Sequence, residues 1–553
     1  MFRRSRQKKL KTDLRFYSVA DYAGLVGVVL FLSGLFFVFS VFIVRLFNLT
    51  VVKGEYYSKL SEENRIRQID IYALRGTIFD RKNFAVTKSF SDDTDESDKI
   101  LASNRSYLFT SAGHLVGYVG LPSESDFAEN SCPILLGSKQ LVGKMGVEKL
   151  FDCVLRGRNG KKLIEVNSLE QSQKVLAVEK PQNGYDLRLA VDITLQNKVF
   201  EFISTDEFYK NKKIAVVGLK PNTGEILLYL SYPAFDPNAF VINENDLINF
   251  YLTDESKPML DRVANAVYPP GSVFKMLVSY AALQEKVVDK ETQIEDTGFV
   301  QLGPRKYTNW LFTKYGRTDG LVNIVKALQR SNDIYYYKVG ELLGWQTIRK
   351  YGLLFGLGKV SGFGLPESQG LLPSDFWKRE VVKERWFTGD TYNLSIGQGY
   401  LLTTPLQIAN YVNVFASNGK YCKPLLLKAD QSLAEYPAWV KQILSEYAVL
   451  DCRLVADNKQ NLDIVIEGMV RACQPGGTGV PFFNYPISVA CKTGSAQSFT
   501  GQLAHSWFVV FAPVDKPEIL LTVLVEKSGE GSEVAAPLAK KILDYYFGFE
   551  DSN

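Results

Sequence analysis

Ser272 and Lys275 stand three positions apart, directly behind Tyr268-Pro269-Pro270-Gly271. Pro-Pro-Gly cannot extend a helix backwards, so this spacing predicts a serine delivered to the first turn of a helix. The lysine then lies on the same helical face, within side-chain reach of the hydroxyl. A serine hydroxyl is a weak nucleophile until a neighbouring base takes its proton, and a desolvated lysine can be that base. Burial and a second cation nearby would push the lysine towards its neutral form. Ser-x-x-Lys occurs three times in the chain, also as Ser5–Lys8 and Ser417–Lys420, so the spacing alone carries little. Two further groups follow in order: Ser331-Asn332-Asp333 within the helix-like ALQRSNDIYYYKVG, and Lys492-Thr493-Gly494-Ser495 after the strand-like ISVAC. Such an ordered triplet, each part in suitable local structure, points to acyl transfer through a serine.

Competing chemistries are poorly supplied. His114 and His505 are the only histidines, which excludes a multi-histidine metal site; a Ser-His-Asp triad would have to use one of these two, and lysine or a carboxylate is the base expected. His505, on the strand after Lys-Thr-Gly, reads as structural or cleft-lining. Cys132, Cys153, Cys422, Cys452, Cys473 and Cys491 show no CxxC spacing, so neither a zinc cluster nor a dense disulfide framework is implied. Cys491 alternates away from Lys492 along its strand and reads as packed. Tyr335-Tyr336-Tyr337 reads as core and cleft wall.

The elements that must position this chemistry begin near Val191. Lys213–Gly218 and Ile226–Ser231 flank Pro221-Asn222-Thr223-Gly224, a hairpin pattern. Helices are predicted over Ser272–Lys286, Ile324–Leu343 and Pro405–Ser417. The last has Thr404 as N-cap, Pro405 at its first position and Gln407 completing a capping box. Strands are predicted over Ile487–Lys492, Trp507–Ala512 and Ile519–Glu526, with a closing amphipathic helix over Val534–Tyr546. Strands at both ends with helices between them give an α+β fold, helices packed on an antiparallel sheet. From Arg45 to Ala190 the signals are short strands and turns. Arg75-Gly-Thr-Ile-Phe-Asp-Arg81 reads as a strand after a tight turn, Ser91–Lys99 as an acidic solvated loop and Arg156–Lys162 as a solvated basic hairpin tip.

The chain has 553 residues, a prior of three or four structural units. With 46% hydrophobic and 22% charged residues it is neither disordered nor of low complexity. A net charge of +4, from 64 basic against 60 acidic side chains, does not indicate a nucleic-acid binder. Tyr22–Val44 runs uncharged, long enough at about 1.5 Å per residue to cross a bilayer core of about 30 Å. It continues into Arg45 without a small-residue cleavage site, so a membrane anchor is expected rather than a removed leader. Basic Met1–Asp21 would be cytoplasmic and the rest outside. The expected division is 1–21 cytoplasmic tail, 22–44 transmembrane helix, 45–190 membrane-proximal domain and 191–553 catalytic domain.

With these motifs on the page the chain resembles the class B penicillin-binding proteins, most like the elongation-type penicillin-binding protein 2. RGTIFDR and Gly143-Lys-Met-Gly-Val-Glu148 resemble the family's membrane-proximal signatures. VDITLQ (Val191–Gln196), KPNTGEILLYLSYPAFDPNAF (Lys220–Phe240) and SIGQGYLLTTPLQIA (Ser395–Ala409) resemble the framework of its transpeptidase domain. No room exists for a glycosyltransferase domain, which argues against class A. The resemblance implies a mostly-β elongated pedestal at 45–190 and a β-lactamase-like transpeptidase domain at 191–553. It implies that Ser272 attacks the penultimate D-Ala carbonyl of a peptidoglycan stem peptide, with Lys275 as base. Ser331 would relay a proton to the leaving nitrogen, and Asp333 would hold Lys275 and the donor peptide. Lys492 would supply positive potential, helping keep Lys275 neutral. Thr493, Gly494 and Ser495 would bind substrate, with backbone N–H groups of Ser272 and Ser495 as the oxyanion hole.

Asp333 stands where most relatives have Asn; an ionised Asp only accepts hydrogen bonds, so it cannot orient substrate as Asn would. Some elongation-type relatives hold zinc near this motif with His and Cys. Here the middle residue is Asn332 with no His nearby, and no metal or cofactor is expected. Implied partners are stem peptides, β-lactams, a RodA-type SEDS glycan polymerase and other elongation-complex membrane proteins. The implied role is wall cross-linking during elongation and cell-shape maintenance from the cytoplasmic membrane. The alternatives are a division transpeptidase, a D,D-carboxypeptidase or β-lactamase, and a non-catalytic β-lactam sensor or scaffold.

Overall fold

A computed structural model describes residues 19–63, 65–90, 105–137, 139–166, 172–429, 432–497 and 502–549. The basic tail up to Ser18 and the whole acidic run Ser91–Lys99 lie outside them. The chain forms two compact units, Met1–Ile71 with Gly160–Lys180, and Tyr72–Asn159 with Pro181–Asn553.

In the first unit, helix α1 (Val19–Phe47) is uncharged from Tyr22 to Val44, and large side chains such as Phe31, Phe36 and Phe42 are exposed around it. A water-soluble helix would hide such residues against a core; one meeting lipid does not. The chain is accordingly membrane-anchored. The unit also holds a three-stranded antiparallel sheet, β1 (Ile66–Ile71), β2 (Gly160–Val166) and β3 (Ser172–Glu179), with β2 in the middle.

The second unit is built on five antiparallel strands: β4 (Ile214–Lys220), β5 (Glu225–Tyr232), β6 (Ala490–Ala496), β7 (His505–Ala512) and β8 (Ile519–Val525), in the order β5-β4-β8-β7-β6. Along β4, Ile214 and Val216 enter one core while Ala215, Val217 and Leu219 enter another. Both sheet faces are covered, which is why these strands read as continuous apolar runs. Helices α2 (Ile193–Thr205) and α8 (Ala535–Phe547) cover one face through Val199, Ile203, Leu538 and Ile542. The other carries α3 (Lys275–Gln284), α4 (Ile324–Arg330), α5 (Asp333–Leu354), α6 (Pro405–Ala416) and α7 (Lys459–Ala472). The α6 start is as expected: Thr404 Oγ1 accepts from Gln407 N–H at 3.1 Å, and Gln407 Oε1 accepts from Thr404 N–H at 3.0 Å.

Four expectations are corrected. The helix expected over Ile324–Leu343 is two helices, broken at Ser331. The strand expected to end at Lys492 starts later and runs on to Ala496, so it carries the whole Lys-Thr-Gly-Ser group. All six cysteines pair, a point that their spacing left open, as Cys132–Cys153, Cys422–Cys452 and Cys473–Cys491. Cys491 is buried as expected, but as half of a cystine to the end of α7; the fold brings together partners that no short spacing announces. Arg156 is no solvated tip: it is buried, donating to Asn130 Oδ1 at 2.9 Å, and the turn closes β2 at Gly160. In RGTIFDR only Ile78–Phe79 is strand, paired in parallel with Leu187–Arg188.

Candidate active site

β6 lies at the sheet edge, paired on one side with β7, and its other side receives the Ser272 turn. That turn is a short 3-10 segment, Gly271–Phe274, which runs into α3. Two glycines permit the approach. A Cβ on Gly494 would lie 3.1 Å from Pro270 O and 3.2 Å from Val273 Cγ1. Gly271 has φ +62°, and a Cβ there would lie 3.2 Å from Ser495 O. The SIGQGY segment closes the contact: Gly271 N–H donates to Gly397 O at 2.8 Å, and Gln398 Nε2 donates to Ser495 O at 3.4 Å. From behind, Trp507 Nε1 donates to Pro269 O at 3.0 Å and the Tyr268 hydroxyl to Glu526 Oε1 at 2.7 Å. His505 packs edge-on against Tyr268, a structural place.

Lys275 is fully buried at the start of α3. Its Nζ donates to Asp333 Oδ1 at 2.6 Å, Ser331 O at 2.9 Å and Ser331 Oγ at 3.3 Å. Lys492 Nζ, equally buried, donates to the same Ser331 Oγ at 2.9 Å and to Thr493 O at 2.9 Å. Ser331 thus joins two amines. It can do so because it sits in the left-handed region, φ 55°, ψ 39°, between α4 and α5. That conformation costs about 1–2 kcal/mol in an L-residue, offset by the bonds it makes possible. Asn332 caps α5 through Oδ1 to Tyr335 N–H at 3.0 Å. Its Nδ2 donates to Asp296 Oδ2 at 2.8 Å and Asp319 Oδ2 at 3.1 Å, anchoring the corner from beneath. Asp333, in the first turn of α5, has its negative charge where the helix dipole favours it.

Burial lowers the Lys275 amine from its ordinary value, with Asp333 opposing. Burial also pushes Lys492 well down, and the charge on Lys275 pushes it further. Among the described residues, the single carboxylate in hydrogen-bond contact with either amine lies against Lys275. The expectation that Lys492 is the standing cation that neutralises Lys275 therefore needs restating: at rest the ion pair favours the proton on Lys275.

The structure brings Lys275, Ser331, Asp333 and Lys492 into one hydrogen-bonded group, with Thr493, Gly494 and Ser495 on the adjoining strand. Ser272 joins through the packing of its turn on β6. Its side chain is half-buried and, among the described residues, makes no hydrogen bond, so the Lys275 protons point to Ser331 and Asp333. The Thr493 hydroxyl shares a 2.8 Å hydrogen bond with that of Thr478, and Ser495 Oγ donates to Glu530 Oε2 at 2.6 Å. Sequence reasoning missed Thr478, Glu530, Asp296 and Asp319. A glycine-flanked turn, Gly476-Gly477-Thr478-Gly479, was the one available signal. Ser417–Lys420 holds no site: the Ser417 hydroxyl is spent on Lys420 O at 2.7 Å.

Residues 214–544 match the family model "Penicillin binding protein transpeptidase domain", and residues 98–189 match "Penicillin-binding Protein dimerisation domain". The chain belongs to the penicillin-binding protein transpeptidases. It is 31% identical to the peptidoglycan D,D-transpeptidase MrdA of Haemophilus influenzae over 80% of this chain and 69% of that protein. It is similar to penicillin-binding protein PBP2 of Helicobacter pylori, solved in complex with MreC, with a TM-score of 0.72 and 26% identity over 88% of this chain and 99% of that one. A structure described as "Structural coordination of polymerization and crosslinking by a peptidoglycan synthase complex" matches with a TM-score of 0.73 and 26% identity, over 97% of this chain and 99% of that one. This transpeptidase is of class B and the elongation type: a serine-type D,D-transpeptidase of peptidoglycan and a β-lactam target.

Proposed function

We propose that Ser272 is the nucleophile of this transpeptidase and that Lys275 is its base, released by a proton shift through Ser331. Support comes from the seat of the Ser272 turn on the Lys492–Ser495 strand beside the chain Lys275 Nζ, Ser331 Oγ, Lys492 Nζ. When the C-terminal carboxylate of a stem peptide reaches Thr493, it favours a cation on Lys492. Lys275 then passes a proton to Ser331 Oγ, and Ser331 passes its own to Lys492. The neutral Lys275 takes the Ser272 proton as Oγ attacks the penultimate D-Ala carbonyl. The tetrahedral oxyanion rests on the backbone N–H groups of Ser272 and Ser495, each worth about 3 kcal/mol of barrier. Collapse expels D-Ala, its nitrogen protonated by way of Ser331. An amine of a neighbouring stem then attacks the ester to give the cross-link and restore Ser272. Asp333 holds Lys275 in place throughout.

Segment 45–190 serves as a pedestal and 191–553 as the transpeptidase domain, with the 22–44 helix in the cytoplasmic membrane and residues 1–21 in the cytoplasm. Three cystines fit an oxidising compartment for the exported part. By similarity to the relative solved with MreC, an MreC-type protein is a partner, and a RodA-type SEDS polymerase is the further partner that the family resemblance implies. Labelling with a fluorescent penicillin and mass mapping tests the core of this reading: one adduct on Ser272, lost in Ser272→Ala, is expected. A folded protein labelled elsewhere would overturn it.

A further inference from the structure

The second half-reaction has to dispose of two protons. At neutral pH an amine acceptor arrives as an ammonium, since amino groups lose their proton only at about pH 8 on an α-carbon and about pH 10 on a side chain. The amide it forms keeps one hydrogen on nitrogen. One of the two lost protons restores the Ser272 hydroxyl by way of Lys275, and the other needs a base of its own. Among the described residues, two carboxylates accept hydrogen bonds from side chains of the catalytic group, Asp333 from Lys275 and Glu530 from Ser495. Asp333 is committed to its lysine. Glu530 stands in the turn between β8 and α8, its Oε2 accepting from Ser495 Oγ at 2.6 Å, while Gly531 N–H donates to the same Oγ at 3.2 Å. Ser506 Oγ, on β7, donates to Glu530 O at 3.0 Å, and a Cβ on Gly531 would lie 2.6 Å from Gly494 O. The carboxylate is thereby fixed one side chain away from the Ser495 backbone N–H, and it is exposed, so it can pass a proton to water. The facing rim already brings an alkylammonium to this turn. The short helix Trp310–Tyr315 is anchored beside the catalytic group by Trp310 N–H donating to Asp333 Oδ2 at 3.4 Å. From it Lys314 Nζ comes within 3.7 Å of Glu533 Oε1, and Glu533 N–H donates to Glu530 O at 3.1 Å. Tyr315, and then Glu533 and Glu530, hold the Lys314 amine above its ordinary value against burial.

We propose that Glu530 receives the ammonium of the acceptor stem and takes its first proton; the proposal rests on the reading of Ser272 as the nucleophile. The ammonium docks on the carboxylate beside Ser495 Oγ and gives up one proton to it. The freed nitrogen lone pair attacks the carbonyl of the Ser272 ester, which lies on the Ser272 and Ser495 N–H groups. The tetrahedral intermediate collapses by breaking its bond to Ser272 Oγ, and the second nitrogen proton passes to that oxygen through Lys275. Glu530 then releases its proton to solvent. An ammonium and an ester have become an amide, a serine hydroxyl and one free proton. The other titratable groups facing this carboxylate's turn are Glu533 and Lys527 within it, Lys314 from the facing helix, Lys492 on β6, and His505 on β7, whose Nδ1 accepts from Lys527 N–H at 3.4 Å.

The test uses the full chain in detergent, with a thioester analogue of the donor stem to acylate Ser272 and D-alaninamide as the acceptor. Rates are read at about pH 6.5 and about pH 9.5, either side of the titration of an α-amino group. Glu530→Gln keeps an acceptor for Ser495 Oγ but cannot take a proton. Its ratio of aminolysis to acylation is expected to fall by about 100-fold at the lower pH, the usual worth of a modest positioned base. At the higher pH the acceptor arrives neutral, and the loss should shrink to about threefold or less. Glu530→Asp, which keeps the carboxylate, should recover part of the loss at the lower pH. An unchanged ratio at the lower pH, or a deficit equal at both, overturns the proposal, the second by showing that Glu530 only shapes Ser495. Acylation and aminolysis falling together would make Glu530 a support of the oxyanion strand and overturn it as well. A native protein without an adduct on Ser272 would instead sink the reading on which the proposal rests.

Discussion

Lys275 Nζ lies 2.6 Å from Asp333 Oδ1, and the amine is buried while the carboxylate faces partly outward. A base held in an ion pair must be released before it can act. Burial lowers the Lys275 amine and Asp333 opposes that shift, so removing the carboxylate lowers it further. In Asp333→Asn the rising limb of the acylation pH profile is therefore expected to move towards acid, by about 1–3 pH units. Stopped-flow acylation of Ser272 by a chromogenic penicillin between pH 5 and 10 reads this directly, those limits being set by the roughly ordinary stability range of folded proteins. An unmoved or alkaline-shifted limb would exclude Lys275 as the base.

Ser331 Oγ touches both lysines, at 3.3 and 2.9 Å, so its loss severs the path between them. Ser331→Ala is expected to slow acylation by about 100- to 10,000-fold, the usual worth of a positioned proton-transfer group. The backbone bond from Lys275 to Ser331 O survives the substitution, so far-UV circular dichroism should be unchanged. Acylation within threefold or so of the native rate would remove the relay from the mechanism.

How much of this site could be read from the chain follows from the range of the interactions involved. The Thr404–Gln407 capping box and the Pro-Pro-Gly delivery of Ser272 are local, and their residue types declare them. The α4–α5 break at Ser331 has neither Gly nor Pro to announce it. It is held by Asp296 and Asp319, which reach Asn332 from 36 and 13 residues away. The cystine at Cys491 and the burial of Arg156 likewise depend on contacts that form only in the folded chain. The direction of the lysine coupling needed geometry as well, because composition places two amines near one carboxylate without saying which one it touches.

Lys492 is buried with no carboxylate in hydrogen-bond contact among the described residues, and burial followed by the Lys275 charge drives its amine well down. A lysine with a lowered folded value binds fewer protons folded than unfolded at pH values between the two. Stability in that window therefore rises with pH, and at neutral pH the residue is a liability. Lys492→Met should relieve it and stabilise the fold by about 1–4 kcal/mol while abolishing penicillin acylation. Urea unfolding at pH 7 and 10 checks the sign: the gain should shrink as pH approaches the unfolded lysine value. A destabilised variant at pH 7 would show that the native protein keeps Lys492 charged and well paired.

Glu148 is wholly buried among Arg75, Arg105 and the Tyr107 hydroxyl, the last at 3.3 Å. Burial alone would raise its carboxyl, but the charges of Arg105 and Arg75 hold it below the usual glutamate range. Its contribution is thus complete above the unfolded glutamate value and is lost as pH falls through the lowered folded one. Glu148→Gln leaves two buried guanidinium groups underpaired, and a loss of about 3–5 kcal/mol is expected. The exposed i,i+4 pair Lys459–Asp463, at 3.2 Å, is the control, since Lys459→Ala should change stability by no more than about 0.5 kcal/mol. Urea unfolding of both variants decides the matter: equal midpoints would mean that the Arg75–Glu148–Arg105 group adds no more than a surface pair, whereas a large loss confined to Glu148→Gln would show that it joins RGTIFDR to GKMGVE.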